Sequence, residues 1–434
     1  MRLIRIAAVG LAVLAAGAAV WILGGNALGA KREREASRSF ESAFGPRTAL
    51  AAKYVFAATN VDAKKAEDVA RAVGYDLAPR KAPNPDTSPN PDTSSSVPEA
   101  ERAAVSAYVA AQVTRGDVAV EAPPPAVASA LASHRVALSA LEDALMAGGA
   151  PRWACDPAAW YEERVSPNGL GHIQVQRLQI AAALASVAQG NHVTAARWLD
   201  GSWKLNEGLS LRPEVVAQLI AIAVARYEAG ALRKIDANPS VWGPRLATMG
   251  SRTRLLEAFL LEQPVGGHAW YWHSVRNERG WWGYNLLAVF LEPRGRLMWA
   301  AYNEAWWRAM KAVRDAPAFG ETASDPPPGN DFTSIMIAIS MPNIREAFRR
   351  ADRLALDAEL TEKVLQVKAV RTAAGAWQPA SAEIAASGFP GLEWDNRVDG
   401  GTMTIKLNRE LPRPEAGLVL PTSFSSAASA VKLP

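Results

Sequence analysis

Only one cysteine, Cys155, occurs in the 434 residues, so an intrachain disulfide is excluded and stability has to come from packing. No lipobox-like cysteine follows the N-terminal apolar run, which leaves a lipoprotein without an attachment residue. The chain also lacks an HExxH zinc pattern, a glycine-rich phosphate loop, a convincing serine elbow and a cysteine cluster, so no cofactor or metal is expected. A strong charge of either sign is missing as well. The formal charge is +4 and falls to +2 once the two arginines of the first thirty residues are set aside, which gives little reason to expect nucleic acid as a partner. In WACD, Cys155 is expected to be a small buried thiol, with intermolecular pairing or reactivity as the alternative.

What the chain does have is a short basic start, Arg2 and Arg5, followed by the 18-residue stretch IAAVGLAVLAAGAAVWIL at residues 6–23. Its length and composition fit a signal peptide or a single membrane anchor. A buried globular helix is the less favoured reading, because the run is terminal and carries no acidic residue. Positive charge before the run favours a cytoplasmic N-terminus and an exported remainder. Ala27-Leu28-Gly29 has small residues spaced for processing before Ala30, whereas bulky Trp21 and Ile22 near the end of the run favour retention. The expected location is therefore inner-membrane anchored, or secreted or periplasmic if the segment is cleaved. The membrane is a partner through residues 6–23 if the segment stays.

Patterning predicts a mainly α fold: an irregular helical bundle or short α-solenoid-like array with a small C-terminal β-hairpin. After residues 1–30, a membrane-proximal helical arm is expected over 31–79, with Phe40, Phe44, Tyr54, Val55 and Val61 available for packing. Residues 80–98, with two consecutive PNPDTS units, read as a linker because proline removes amide donors and small polar residues bury little area. A helical domain over 99–320 follows. It contains helices at Glu99–Val113, Ala126–Met146, Ile173–Ala188 and Val193–Leu205, and one starting at Pro213. The second of these is expected to pack through Leu131, Val136, Leu138, Leu141 and Leu145, and to stop at Gly148. Around the QGNH turn, Ala182, Leu184, Gly190 and Ala196 resemble tetratricopeptide-type helical repeats, while an irregular bundle accounts for the same periodicity and is preferred.

The aromatic region from His268 to Met310 holds seven of the fifteen tryptophans. Trp299, Tyr302, Trp306 and Met310 recur at helix spacing and should share a face. Trp270, Trp272, Trp281 and Trp282 are read first as part of an aromatic core; the alternatives are a groove for a glycan or a peptide of an envelope protein, or a place near the lipid interface beside the N-terminal anchor. His268, His273, Glu278 and Glu304 are the candidate proton-transfer groups, since paired carboxylates assist glycosidic cleavage when correctly separated; Glu292 lies in the same stretch. Residues 321–332 read as a loop. Residues 333–415 then form a long helix, with Leu354, Leu360, Val364, Val367 and Val370 on its apolar face, and a hairpin. In the hairpin Leu392 and Trp394 lie before a glycine turn and Met403, Ile405 and Leu407 after it. Over residues 350–410 this order resembles pseudopilin-like tails, but the apolar segment that leads such a helix stands at the other end of this chain. The last residues, 416–434, are expected to be a flexible tail. The leading expectation for function is an exported or membrane-anchored envelope protein that binds or scaffolds a partner. A hydrolase acting on cell-wall glycan and a purely structural helical protein are the alternatives.

Overall fold

Helix dominates wherever the sequence carries a 3.6-residue apolar period, and among the described residues strands appear only after residue 393 apart from one two-residue ladder. The computed structural model describes residues 2–78, 80–81, 96–157, 159–161, 165–166, 168–262, 282–319, 332–374, 376–378, 385–411 and 418–427. Of these, residues 2–11, 80–81, 161, 165, 282–288, 332–343 and 372–373 are described by their backbone alone. The helices are α1 (Arg2–Phe44), α2 (Arg47–Ala52), α3 (Val61–Val73), α4 (Glu99–Val113), α5 (Pro125–Ala147), α6 (Gly169–Ala188), α7 (His192–Ser210), α8 (Val215–Leu232), α9 (Pro239–Leu246), α10 (residues 252–262), α11 (Trp282–Asp315) and α12 (Phe332–Ala374). The strands are β1 (Arg80–Lys81), β2 (Val165–Ser166), β3 (Trp394–Asp399), β4 (Thr402–Leu407) and β5 (Ser423–Ala427). The expected mainly helical fold with a small C-terminal sheet is what the chain adopts.

The chain divides into two compact units. The first comprises residues 1–53, 157–162 and 259–345. Its centre is a parallel pair, α1 and α11. Trp21 Nε1 donates to the Phe290 carbonyl at 2.8 Å, and Arg314 donates to the Ala43 carbonyl at 2.6 Å. Between those points, a Cβ placed on Gly25 would lie 2.6 Å from Cβ of Pro293, and one on Gly29 would lie 2.7 Å from Cβ of Arg296. Two glycines four residues apart thus let the helix backbones approach, and any larger residue there has to displace α11. Further along, Phe40 packs on Trp307 with ring centroids 4.6 Å apart. The charged run KREREASR, where the helical arm is expected to begin, is helical and continues α1 without a break to Phe44. A helix needs backbone continuity, not apolar side chains, and Lys31 and Arg32 pair with Glu35 along the helix surface.

The second unit comprises residues 54–156, 163–258 and 346–434. In it α6, α7 and α8 pack on one another, with α3, α4 and α5 alongside. Asn60, Asn168 and Asn191 cap α3, α6 and α7 by accepting a backbone N–H in the first turn. Glu99–Val113 matches expectation, and Pro125 stands at the start of α5. In α5, Leu138, Leu141 and Leu145 are buried, but Val136 is 85% exposed because it falls on the opposite side of the helix. Pro213 precedes α8 rather than opening it, and Glu214 takes the N-cap position. Along α12, Leu354, Leu360, Val364 and Val367 are buried, whereas Val370 points outward.

A buried charge cluster joins α8 to α12. Asp357 is paired with Arg226 at 3.4 Å, Arg353 at 3.5 Å and Arg233 at 3.6 Å, all of them almost fully buried. Arg233 also donates to Thr361 Oγ1 and to the carbonyls of Asp357 and Pro421, and Arg353 donates to the Leu420 carbonyl. Burial pushes the Asp357 carboxyl up from the usual carboxylate range while the guanidiniums act in the opposite sense. The sheet rests on the same helix: Trp394 Nε1 donates to Glu359 at 2.6 Å. Gly400 and Gly401, both at positive φ, turn β3 into β4. β5 then pairs with β4, so part of the expected tail is a third strand. Residues 82–95, which hold the PNPDTS repeats, lie outside the described residues. Asp357→Asn leaves three buried guanidiniums without their carboxylate, and we expect a loss of about 3–5 kcal/mol in denaturant unfolding. Glu304→Gln, on an exposed helix face, should change stability by less than about 0.5 kcal/mol.

Candidate binding site

A groove of about 550 Å³ lies in the second unit where α5, α6 and α7 meet. Its position follows from local sequence. Gly190 at positive φ and the Asn191 cap return the chain tightly from α6 to α7, and the C-terminal half of α6 is rich in alanine. Ala182 and Ala185 line the groove with little bulk, beside Leu131 and Leu138 of α5 and Trp198 of α7. Arg135 and Arg197 supply its cationic groups. Arg197 is held by Glu142, and by Asp143 at 2.5 Å, whereas exposed Arg135 makes no ion pair among the described residues. Burial pushes the Glu142 carboxyl up, opposed by Arg197. Apolar walls with a few fixed polar groups suit a peptide or protein segment that contributes an apolar side chain and an acceptor for Arg135.

Close to this groove in the fold is a set of buried polar side chains. His172, Gln176 and Gln179 recur on α6 at positions i, i+4 and i+7 and are fully buried. Their ring and amide atoms have no hydrogen-bond partner among the described residues. His172 meets Trp153 edge-on at 4.8 Å, and burial lowers its pKa to about 3, so it is neutral at physiological pH. Glu228 of α8 accepts from Ser202 Oγ at 2.7 Å and from Asn206 Nδ2 at 3.3 Å. Burial raises its pKa to about 7, with those two donors opposing. Asn206 also lines a cavity of about 40 Å³ with Gln218, Ser210 and Arg254, enough room for water.

Of the candidate site residues read from sequence, only Glu304 has a described side chain. His268, Trp270, Trp272, His273, Glu278 and Trp281 lie outside the described residues, as does the side chain of Trp282, whose backbone opens α11. Glu304 is on α11, half-exposed and paired with Arg308 at 3.1 Å, the ordinary i,i+4 arrangement of a helix surface. The expected aromatic face is present: Trp299 stacks on Tyr302 and Tyr302 on Trp306, with Trp306 and Met310 fully buried and Phe259 beside Trp306. That half of the aromatic region is core. Glu292 pairs with Arg296. Cys155 is buried, and its backbone bridges to Phe56. No group of three or more His, Cys, Asp or Glu residues able to hold a metal occurs among the described residues. Sequence reasoning did not find Arg135, Arg197, Trp198 or Glu228; the one available signal was the polar stripe of α6 at helical spacing.

The chain matches no protein-family model, no curated protein and no solved structure.

Glu228 has a direct consequence for pH dependence. Its folded pKa, about 7, lies above the ordinary 4.5, so the folded state holds the proton more tightly, and stability falls as pH rises from about 4.5 to about 7. Glu228→Gln should melt higher than the parent at pH 8, and the difference should shrink towards zero by pH 5 when followed by circular dichroism. His172 acts in the opposite sense, with stability lost as pH falls from 6.5 to about 3.

Proposed function

We propose that this protein is an envelope component held in the membrane by a retained α1, with a helical body beyond residue 30 that binds or scaffolds a partner protein. The observation that carries the reading is the seam between α1 and α11. The Ala27-Leu28-Gly29 site lies inside an unbroken helix, and Gly25 and Gly29 are fitted against Pro293 and Arg296. Removing the chain before Ala30 would strip α11 of the partner for its first turns. Of the helices long and apolar enough to cross a membrane, Val215–Leu232 is mostly buried, whereas the N-terminal one is almost wholly unburied. Arg2 and Arg5 ahead of the apolar run favour a cytoplasmic N-terminus and an exported body. The groove between α5, α6 and α7 is the surface best suited to the partner. The pairing of Glu304 with Arg308 supports a structural role for that carboxylate over glycan hydrolysis.

Two substitutions test the seam. Gly29→Leu must overpack the contact with Arg296, so we expect about 1–3 kcal/mol of destabilisation and a clear drop in the melting temperature of the detergent-solubilised protein. Gly24→Leu, with nothing within 4 Å of the new Cβ, should leave it unchanged. Equal behaviour of the two would remove the seam from the account. For the groove, a photo-crosslinking residue at Ser139 should trap a defined envelope protein. The same residue at Val216, which is exposed and does not line the groove, should not.

A further inference from the structure

Nine of the eighteen large apolar side chains exposed among the described residues lie on α1 and α11. On α1 they are Val13, Leu14, Val20, Trp21, Leu23 and Leu28, and on α11 Val289, Phe290 and Leu291. The α11 group is level with Val20, Trp21 and Leu23 of α1, because α1 and α11 run parallel and the Trp21 indole reaches the Phe290 carbonyl. The strongly apolar stretches of both helices end at that level. On α1 the run ends at Leu23, with the first charges, Lys31, Arg32 and Glu33, two turns further on, and on α11 it ends at Leu291, ahead of Glu292, Arg294 and Arg296. Arg296 joins the two charged levels, 3.0 Å from Glu292 and 3.9 Å from Glu33. A lone exposed leucine means nothing, but two parallel helices whose apolar stretches end at one level define a boundary.

We infer that the N-terminal part of α11, Trp282 to Leu291, lies in the lipid bilayer alongside α1 as a half-depth membrane segment. The inference rests on α1 being a retained anchor. The segment carries no charge, and its ten helical residues span about 15 Å, roughly half of a ~30 Å hydrocarbon core. Within lipid every backbone group has to be satisfied internally. Pro293 withholds the amide that the Val289 carbonyl would receive, and the Trp21 indole supplies a donor to the carbonyl one residue further on. Trp21 then sits near the apolar–polar boundary, where indoles are favoured, and the Arg296–Glu33–Glu292 group lies on the water side. The partner of this surface is the acyl region of a phospholipid bilayer.

The test uses the full-length protein with Cys155→Ser, reconstituted into phosphatidylcholine–phosphatidylglycerol vesicles and spin-labelled at one site at a time. Val20→Cys reports α1, Val289→Cys and Leu291→Cys report α11, and Val193→Cys reports an exposed position on α7. All four are solvent-facing in the fold, so labelling leaves packing intact. We expect labels at 20, 289 and 291 to relax at least several-fold more with oxygen than with a water-soluble nickel chelate, and the label at 193 to show the reverse. A lipid-protected label at 20 with chelate-accessible labels at 289 and 291 would overturn the insertion of α11 and leave the anchor standing. Chelate access at 20 as well would overturn both.

Discussion

The close approach of α1 to α11 at Gly25 and Gly29 is the constraint on which the first unit depends. Neither glycine is needed for an unusual backbone angle, since both lie in regular helix; they are needed because Pro293 and Arg296 occupy the space a side chain would take. Contact this close aligns Trp21 with Phe290 and, further along the pair, Phe40 with Trp307. An N-terminal segment that merely addressed the chain for export would have no reason to be fitted in this way. Packing is what supports the proposed retained anchor, since apolar composition suits a cleaved signal as well.

The second unit is organised around charge that has been removed from water. Asp357 holds three guanidiniums, and two of these, Arg233 and Arg353, reach on to Thr361 and the carbonyls of Leu420 and Pro421. Lys234 and Lys368 likewise spend their ammonium groups on the carbonyls of Arg115, Asp117 and Ile235. With no disulfide, directional contacts of this kind fix which helix faces meet. The groove beside α6 inherits that definition. Its alanines keep it open, and the ion pairs of Arg197 hold one wall in place.

Legibility from sequence tracked periodicity. The apolar period of α4, the aromatic face of Trp299, Tyr302, Trp306 and Met310, and the alternation of Met403, Ile405 and Leu407 around Gly400-Gly401 each specify an element locally. β5 was hidden because SFSSA offers a single large apolar side chain, Phe424, and becomes a strand only when the edge of β4 is present to pair with it. The continuation of α1 past Lys31 was hidden for a different reason: the change from apolar to charged residues marks an environment, and the helix ignores it. The groove could not be read at all. Arg135, Ala185 and Trp198 come from three helices, and nothing short of their packing brings them together. The tryptophans that drew most attention in the sequence divide between a buried face on α11 and positions outside the described residues.

The measurement that bears most directly on the retained anchor is the mature N-terminus, determined by mass spectrometry on protein recovered from membranes washed at alkaline pH. The account predicts a membrane-resistant chain whose first peptide begins at Met1 or Arg2. A chain that begins at Ala30 and is released by the wash would contradict it, because Gly25 and Gly29 would then be gone and the fit of α1 to α11 could not be part of the working protein.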